Sequence, residues 1–245
     1  MPNESGDLKL LANFRKLIDL VSADTDYKPS NAALKPTALE AQHTAGVAAA
    51  HDVPAQFATN MTAISDREAV FADVNSFISR VHGVAKASGA SAGQLADLNT
   101  FKRKLISKRK AKTKPAATAG AATEPEFEKQ RSASQLSYDN QVGHLPGYFG
   151  VLDTIAEYKP NEADLKLPAL NAFVDDLQAK NDAVSTSFVP LSQARGLRDQ
   201  LLYQADNSVV NTALLAKEYV KGAFGTSSQL YKQIKGLEFK RKRTQ

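Results

Sequence analysis

Two clusters of basic residues are the groups in this sequence best suited to bind another molecule. The segment 101–115 contains eight of the 31 Lys and Arg residues and no acid, and the segment 232–243 contains six with one acid, Glu238. We call these segments the basic tracts. Lys and Arg neutralise phosphate groups, and such contacts add affinity at low salt without reading a base sequence. The candidate polyanion-binding residues are Lys102, Arg103, Lys104, Lys108, Arg109, Lys110, Lys240, Arg241, Lys242 and Arg243.

Two other interpretations of the basic tracts remain open. Cations at the C-terminal end of a helix complement the helix dipole, and then they need no partner. The rest of the chain carries 17 basic and 25 acidic residues, so a basic tract can also dock on the acidic body of a second copy. The sequence thus leaves nucleic acid, self-association and a solvated helix end as alternatives.

Residue patterns for metal binding or catalysis are incomplete. Glu40 and His43 have the i, i+3 spacing of ligands in di-iron bundles, but the matching residues of a second copy are Asn171 and Val174, which do not ligate. The sequence contains no GxSxG elbow, no phosphate-binding loop and no cysteine for a thiolate site or disulfide. We therefore predict no catalytic residue, no metal site, no cofactor and no small-molecule substrate, and we expect a protein that is not an enzyme.

The composition favours a helical protein outside the membrane. No apolar run approaches the roughly 20 residues that a spanning helix requires, and the first residues lack the pattern of an export signal. Aromatic residues make up 7% and hydrophobic residues 42%, so the core must consist mainly of Ala, Leu and Val. We expect an all-α protein in the cytoplasm.

The elements that position the basic tracts occur twice. The segment YKPSNAALKP at 27–36 returns as YKPNEADLKLP at 158–168, and FKRK at 101–104 recurs at 239–242. Each Tyr-Lys-Pro segment predicts a connection between two helices, because Pro fixes its own φ and disfavours helix at the residue before it. Ser30 and Asn161 are the predicted caps. Tyr27 and Tyr158 are expected to fill the corner between the helices.

Each repeat is predicted to contain one long helix. Pro54 and Pro190 fall at different places in the two repeats, so they predict kinks rather than breaks. Shorter helices are predicted near 7–24, 76–88, 92–110 and 227–237. In repeat two the apolar stripe of the long helix has three-and-four spacing and comprises Leu170, Val174, Leu177, Val184, Phe188, Leu191, Ala194, Leu201 and Ala205.

The second repeat resembles a group of uncharacterised bacterial proteins that are helical and often duplicated. The resemblance lies in YKPNEADLKLPALNAFVDDLQAKNDAV together with YVKGAFGTSSQLYKQIKGLEF, and more weakly in the first half. It implies a bacterial, helical protein and brings no activity to any residue.

The predicted architecture is two tandem homologous antiparallel helical bundles, each with one long kinked helix flanked by shorter helices. The bundles are expected at 1–111 and 141–245, with a flexible linker at 112–140 that is rich in Ala, Thr, Pro and Gly. The expected function is a non-catalytic interaction or structural scaffold with a protein partner or a second copy. The alternative is sequence-nonspecific binding of DNA or RNA through the basic ends of the repeats.

Overall fold

The computed structural model describes residues 4–106 and 137–241. Across these ranges the chain forms α-helices and no strand, so the all-α prediction is confirmed. Among the described helices, none is both long enough and apolar enough to traverse a lipid bilayer. The helices are α1 (Glu4–Ala23), α2 (Pro36–Ala72), α3 (Val74–Ala87), α4 (Ala92–Ile106), α5 (Tyr138–Asp153), α6 (Leu167–Asp199), α7 (Val209–Phe224) and α8 (Gln229–Ile234).

The two long helices continue through their prolines, as predicted. Helix α2 has 37 residues and contains Pro54, and α6 has 33 residues and contains Pro190. A proline inside a helix removes one backbone hydrogen bond but need not end the helix when packing holds both sides. The comparison between the repeats therefore predicted this feature correctly.

Helix α6 ends in a π-turn at Gln200–Gln204, which is closed by the amide of Ala205 donating to the carbonyl of Gln200 at 3.0 Å. A π-turn accommodates one more residue than an α-turn. The repeats show the same extra residue: Lys28 and Lys159 are 131 positions apart, whereas Asn75 and Asn207 are 132 apart. The π-turn lies between the two matched positions of repeat two, Lys159 and Asn207.

The repeated Tyr-Lys-Pro segments form the predicted corners. The hydroxyl of Tyr27 donates to the carbonyl of Leu34 at 3.0 Å, and the hydroxyl of Tyr158 donates to the carbonyl of Leu165 at 2.8 Å. Both tyrosines are 5% exposed. Both predicted caps are wrong. Asn31 rather than Ser30 caps the 3₁₀ turn Ala32–Leu34, and Glu162 rather than Asn161 precedes the 3₁₀ turn Ala163–Leu165, where it makes no side-chain cap hydrogen bond.

The chain divides into two compact units that do not coincide with the tandem halves 1–111 and 141–245. Unit 1 comprises Met1–Thr62 and Ser185–Gln245, and unit 2 comprises Ala63–Val184. The long helices α2 and α6 each begin in one unit and end in the other. The short helices that follow each long helix therefore belong to a different unit from the short helix that precedes it.

Each unit has its own apolar core, which combines elements of both repeats. In unit 1 the helices α1, α7 and α8 pack around Phe14, Leu17 and Val210. In unit 2 the helices α3, α4 and α5 pack around Ile78, Leu98 and Tyr148. The first helix of each repeat thus packs against the last helices of the other repeat, since each long helix carries the chain out of its starting unit.

Several helix and linker boundaries differ from those predicted. The predicted helix 92–110 is described as far as Ile106, α8 ends earlier than predicted, and α5 begins at Tyr138, inside the predicted linker. Positions 112–136 of that linker lie outside the described residues. The predicted apolar stripe is buried only in part: Phe188 is 53% exposed, Val184, Leu201 and Ala205 are partly buried, and Leu202 is buried rather than Leu201.

Candidate polyanion-binding surfaces

Three of the predicted binding residues lie at the end of α4 in unit 2. Arg103 and Lys104 are exposed, and Lys102 is half-buried. Lys86, in the last turn of α3, is exposed and lies close enough to act on the same neighbour as Lys102. We call these four residues the cationic surface of unit 2.

Two histidines report the electrostatic field of this surface. Partial burial lowers the pKa of His82, and the nearby charges of Lys102 and Lys86 lower it further. Partial burial also lowers the pKa of His144, with a further contribution from Lys104. Both shifts favour the neutral imidazole, first because of burial and second because of the neighbouring lysines.

Helix α4 is held firmly against its neighbours, which fixes where the cations lie. Leu98 and Leu105 are fully buried in the core of unit 2. The ring of Phe101 packs over Gly147 of α5 so closely that a Cβ atom there would meet it at 2.6 Å. The ammonium of Lys104 lies 5.5 Å from the centre of the Phe101 ring. Phe101 is therefore part of the packing and supports a cation on its face.

The four cations of this surface form no ion pair with any described residue. Elsewhere in unit 2, Arg80 pairs with Asp164 at 2.9 Å and Lys180 pairs with Asp66 at 3.0 Å. The cationic surface thus differs from the mixed charges around it, and its charge is available to a partner.

The second basic tract begins in unit 1, in a segment that is anchored to the core. Phe239 is buried, and Lys217 Nζ donates to the carbonyls of Lys235 at 3.0 Å and Leu237 at 2.9 Å. Asn13 Nδ2 donates to the carbonyl of Glu238 at 3.2 Å. These contacts fix the backbone immediately before Lys240 and Arg241.

Lys240 and Arg241 are exposed at the edge of a cleft in unit 1. Lys240 pairs with Glu238 at 3.2 Å, so its charge is partly compensated. The structure therefore places the predicted residues in two groups, one in each unit. The remaining five, Lys108, Arg109, Lys110, Lys242 and Arg243, lie outside the described residues.

The residues considered for a metal make ordinary structural contacts. Glu40 forms an ion pair with Arg15 at 2.7 Å, and the ring of His43 lies 6.3 Å from that of Phe14. Within 4–106 and 137–241, no group of three or more His, Asp or Glu residues is arranged to hold a metal ion.

Two features were not predicted from the sequence. Lys86 lies outside the basic tracts, and only its place in the last turn of a predicted helix could have indicated it. A buried network of Asp7, Arg198 and Tyr203 in unit 1 joins residues almost 200 positions apart. Its one sequence signal is an arginine at a core position of α6, between Ala194 and Leu202.

Comparisons with protein-family models, with curated proteins and with solved structures found no match to this chain.

Proposed function

We propose that this chain is a non-catalytic helical interaction protein of the cytoplasm, which binds nucleic acid without sequence preference through the cationic surface of unit 2. The observation that carries the proposal is the group of four cations from α3 and α4, none of which has an acidic partner among the described residues. The pKa values of His82 and His144 agree with it: burial is the main cause that lowers them, and Lys102, Lys86 and Lys104 lower them further.

The contacts would be made to the phosphate backbone. Lys and Arg on exposed helix turns neutralise phosphates and release counterions, which adds affinity without distinguishing bases. Single strands bind partly by stacking their bases on aromatic rings. Phe101 does not offer a free ring for this, because it is packed against Gly147. The helix dipole also favours cations in the last turns of α3 and α4. It does not account for the basic run that continues in the sequence at Lys108, Arg109 and Lys110.

The test is the salt dependence of binding to a labelled DNA duplex of arbitrary sequence, measured by fluorescence anisotropy. The proposal predicts that affinity falls steeply between about 50 mM and about 200 mM salt. The double variant Lys102→Gln with Lys104→Gln removes two phosphate contacts. It should weaken binding at low salt and reduce the slope of log affinity against log salt by about 2.

A matched control separates a local surface from overall charge. Lys16 and Lys28 are exposed lysines of unit 1, and replacing both with Gln changes the net charge by the same amount. This control variant should bind almost like the parent protein. Equal losses in the two double variants, or no binding by the parent protein at low salt, would contradict the proposal.

Self-association or a protein partner is the second candidate function. It is favoured by adjacent apolar residues on α6, since Phe188 and Val189 are 53% and 51% exposed. Exposed apolar side chains of this size side by side are a feature of protein-binding surfaces. Light scattering at low and moderate salt tests it. A dimer mass that does not change with salt, and that Phe188→Ser with Val189→Ser reduces to the monomer mass, would support this candidate over nucleic acid.

A further inference from the structure

Unit 1 contains a cleft of about 340 Å³ that is lined by four cations and by two acids, Asp7 and Glu238. Lys9 comes from α1, Arg198 from the end of α6, and Lys240 and Arg241 from the C-terminal segment. Among the described residues, Lys9 and Arg241 form no ion pair. The volume is at the lower end of the range for small-molecule sites.

The inner wall of this cleft is a buried network of charges. Arg198 is 6% exposed and Asp7 is 8% exposed, and Nε of Arg198 lies 3.4 Å from Oδ2 of Asp7. Arg198 also donates through Nε and Nη2 to Oδ1 of Asp199, at 3.0 and 2.8 Å. Nη1 takes part in neither contact. A buried arginine that already has its acidic partners is a fixed donor group rather than a free side chain.

Tyr203 completes the network from the π-turn. Its hydroxyl donates to Oδ1 of Asp7 at 2.5 Å, and burial together with this carboxylate raises the pKa of the tyrosine. The phenol therefore remains a hydrogen-bond donor at neutral pH. The residue also lines the cleft, so the wall combines a guanidinium and a phenol in fixed positions.

Two irregular helix segments meet at this network. The π-turn Gln200–Gln204 follows Arg198 directly, and π-turns occur frequently at functional sites. Asp7 and Arg198 also line a smaller cavity of about 70 Å³, together with Ala50 and Pro54. Pro54 has no amide proton to donate to the carbonyl of Ala50, so the regular bonding of α2 is interrupted here as well.

The repeat shows that the fold does not require this network. The residue of repeat one that matches Arg198 is Arg67, which lies in unit 2. Its guanidinium stacks on the ring of Tyr138 at 4.1 Å and donates to Oδ1 of Asn181 at 3.3 Å. An arginine thus occupies this position in both units, but Arg67 is only partly buried, whereas Arg198 is buried, has carboxylate partners and lies beside the π-turn.

We infer that the cleft of unit 1 binds a small molecule that carries a phosphate or pyrophosphate group. Lys9 and Arg241 provide uncompensated charge at the rim, and Arg198 provides a guanidinium in the wall that its contacts with Asp7 and Asp199 hold in place. Several cations around one small volume suit a ligand with more than one negative charge, and guanidinium groups match the geometry of phosphate oxygens. The site is separate from the cationic surface of unit 2 and does not depend on the proposed function.

The test is an isothermal calorimetric titration of the full chain with inorganic pyrophosphate at constant ionic strength. The parent protein should bind one equivalent, and Lys9→Gln and Arg241→Gln should each weaken binding at least fivefold. Lys16→Gln is the matched control, because Lys16 is exposed on the same helix and does not line the cleft. It should leave the affinity unchanged.

Three results would overturn the inference. They are no binding by the parent protein at millimolar pyrophosphate, an equal loss in the Lys16→Gln control, and a loss only when Lys102 and Lys104 of unit 2 are replaced. Citrate at the same ionic strength distinguishes phosphate from carboxylate ligands. Citrate that binds more tightly than pyrophosphate would contradict the phosphate assignment, and weaker binding of citrate would support it.

Discussion

Removal of one hydroxyl group from each Tyr-Lys-Pro corner tests the structural role of the repeated segments. In Tyr27→Phe and Tyr158→Phe the ring stays, but the buried carbonyl of Leu34 or Leu165 loses its donor. An unsatisfied buried polar group costs about 1–3 kcal/mol, so each variant should lower the free energy of unfolding by that amount. The two corners lie in different units and share no partner, so the losses in the double variant should add.

Urea unfolding followed by far-UV circular dichroism measures the loss, and hydrogen exchange of peptides locates it. The control is Tyr219→Phe, because Tyr219 packs edge-on against Tyr27 at 5.4 Å and its hydroxyl makes no hydrogen bond with a described residue. Exchange should accelerate by roughly 5- to 150-fold around the altered corner and stay unchanged in the control. Both corner variants within about 0.5 kcal/mol of the parent protein would refute the assigned role of the hydroxyl groups.

Two further predictions concern the pH dependence of the two corners and the contact between α4 and α5. Burial raises the pKa of Tyr27 and of Tyr158 to about 12, so both contributions are complete below the ordinary tyrosine pKa of about 10. Stability should therefore fall between pH 10 and pH 12, by about 1.4 kcal/mol per pH unit for each tyrosine, and less steeply in the two Phe variants; an unchanged slope in urea titrations would contradict this. Gly147→Ala should destabilise the protein by about 1–3 kcal/mol relative to Gly143→Ala, because a Cβ at 147 meets Phe101 at 2.6 Å and one at 143 meets nothing within 4 Å. Equal thermal midpoints for the two variants would show that Phe101 moves aside without cost.

The local elements of this fold were predictable because their signals are local. Proline and the buried tyrosine define each corner within ten residues, and comparison of the repeats showed that Pro54 and Pro190 lie inside helices. The π-turn also has a local signal, namely the change of offset from 131 to 132 between the repeats. An insertion of one residue in a helix has few other solutions.

The partners of each helix were not predictable in the same way. An apolar stripe on α1 shows that one face is buried, but it is equally satisfied by helices of its own repeat or of the other. The tandem bundles at 1–111 and 141–245 assumed the first case, and the compact units correspond to the second. The ion pair of Asp7 and Arg198 was unpredictable for the same reason, since these residues become neighbours only when α1 packs beside the end of α6.

The candidate surfaces were predicted in part. The basic tracts identified Lys102, Arg103 and Lys104, because a run of Lys and Arg can be recognised from the sequence alone. The contribution of Lys86 and the field at His82 depend on how α3 lies beside α4, which composition does not specify. The compensation of Lys240 by Glu238 likewise needs the folded C-terminal segment.

The most direct test of the central claim is a map of where nucleic acid binds, obtained from the amide shifts in ¹⁵N–¹H spectra during titration with a DNA duplex at low salt. We expect the shifts to concentrate at the end of α3, at Lys102 to Lys104 of α4, and near His144 of α5, and to reverse as salt rises. Shifts confined to unit 1, or an unchanged spectrum with duplex in excess, would contradict it.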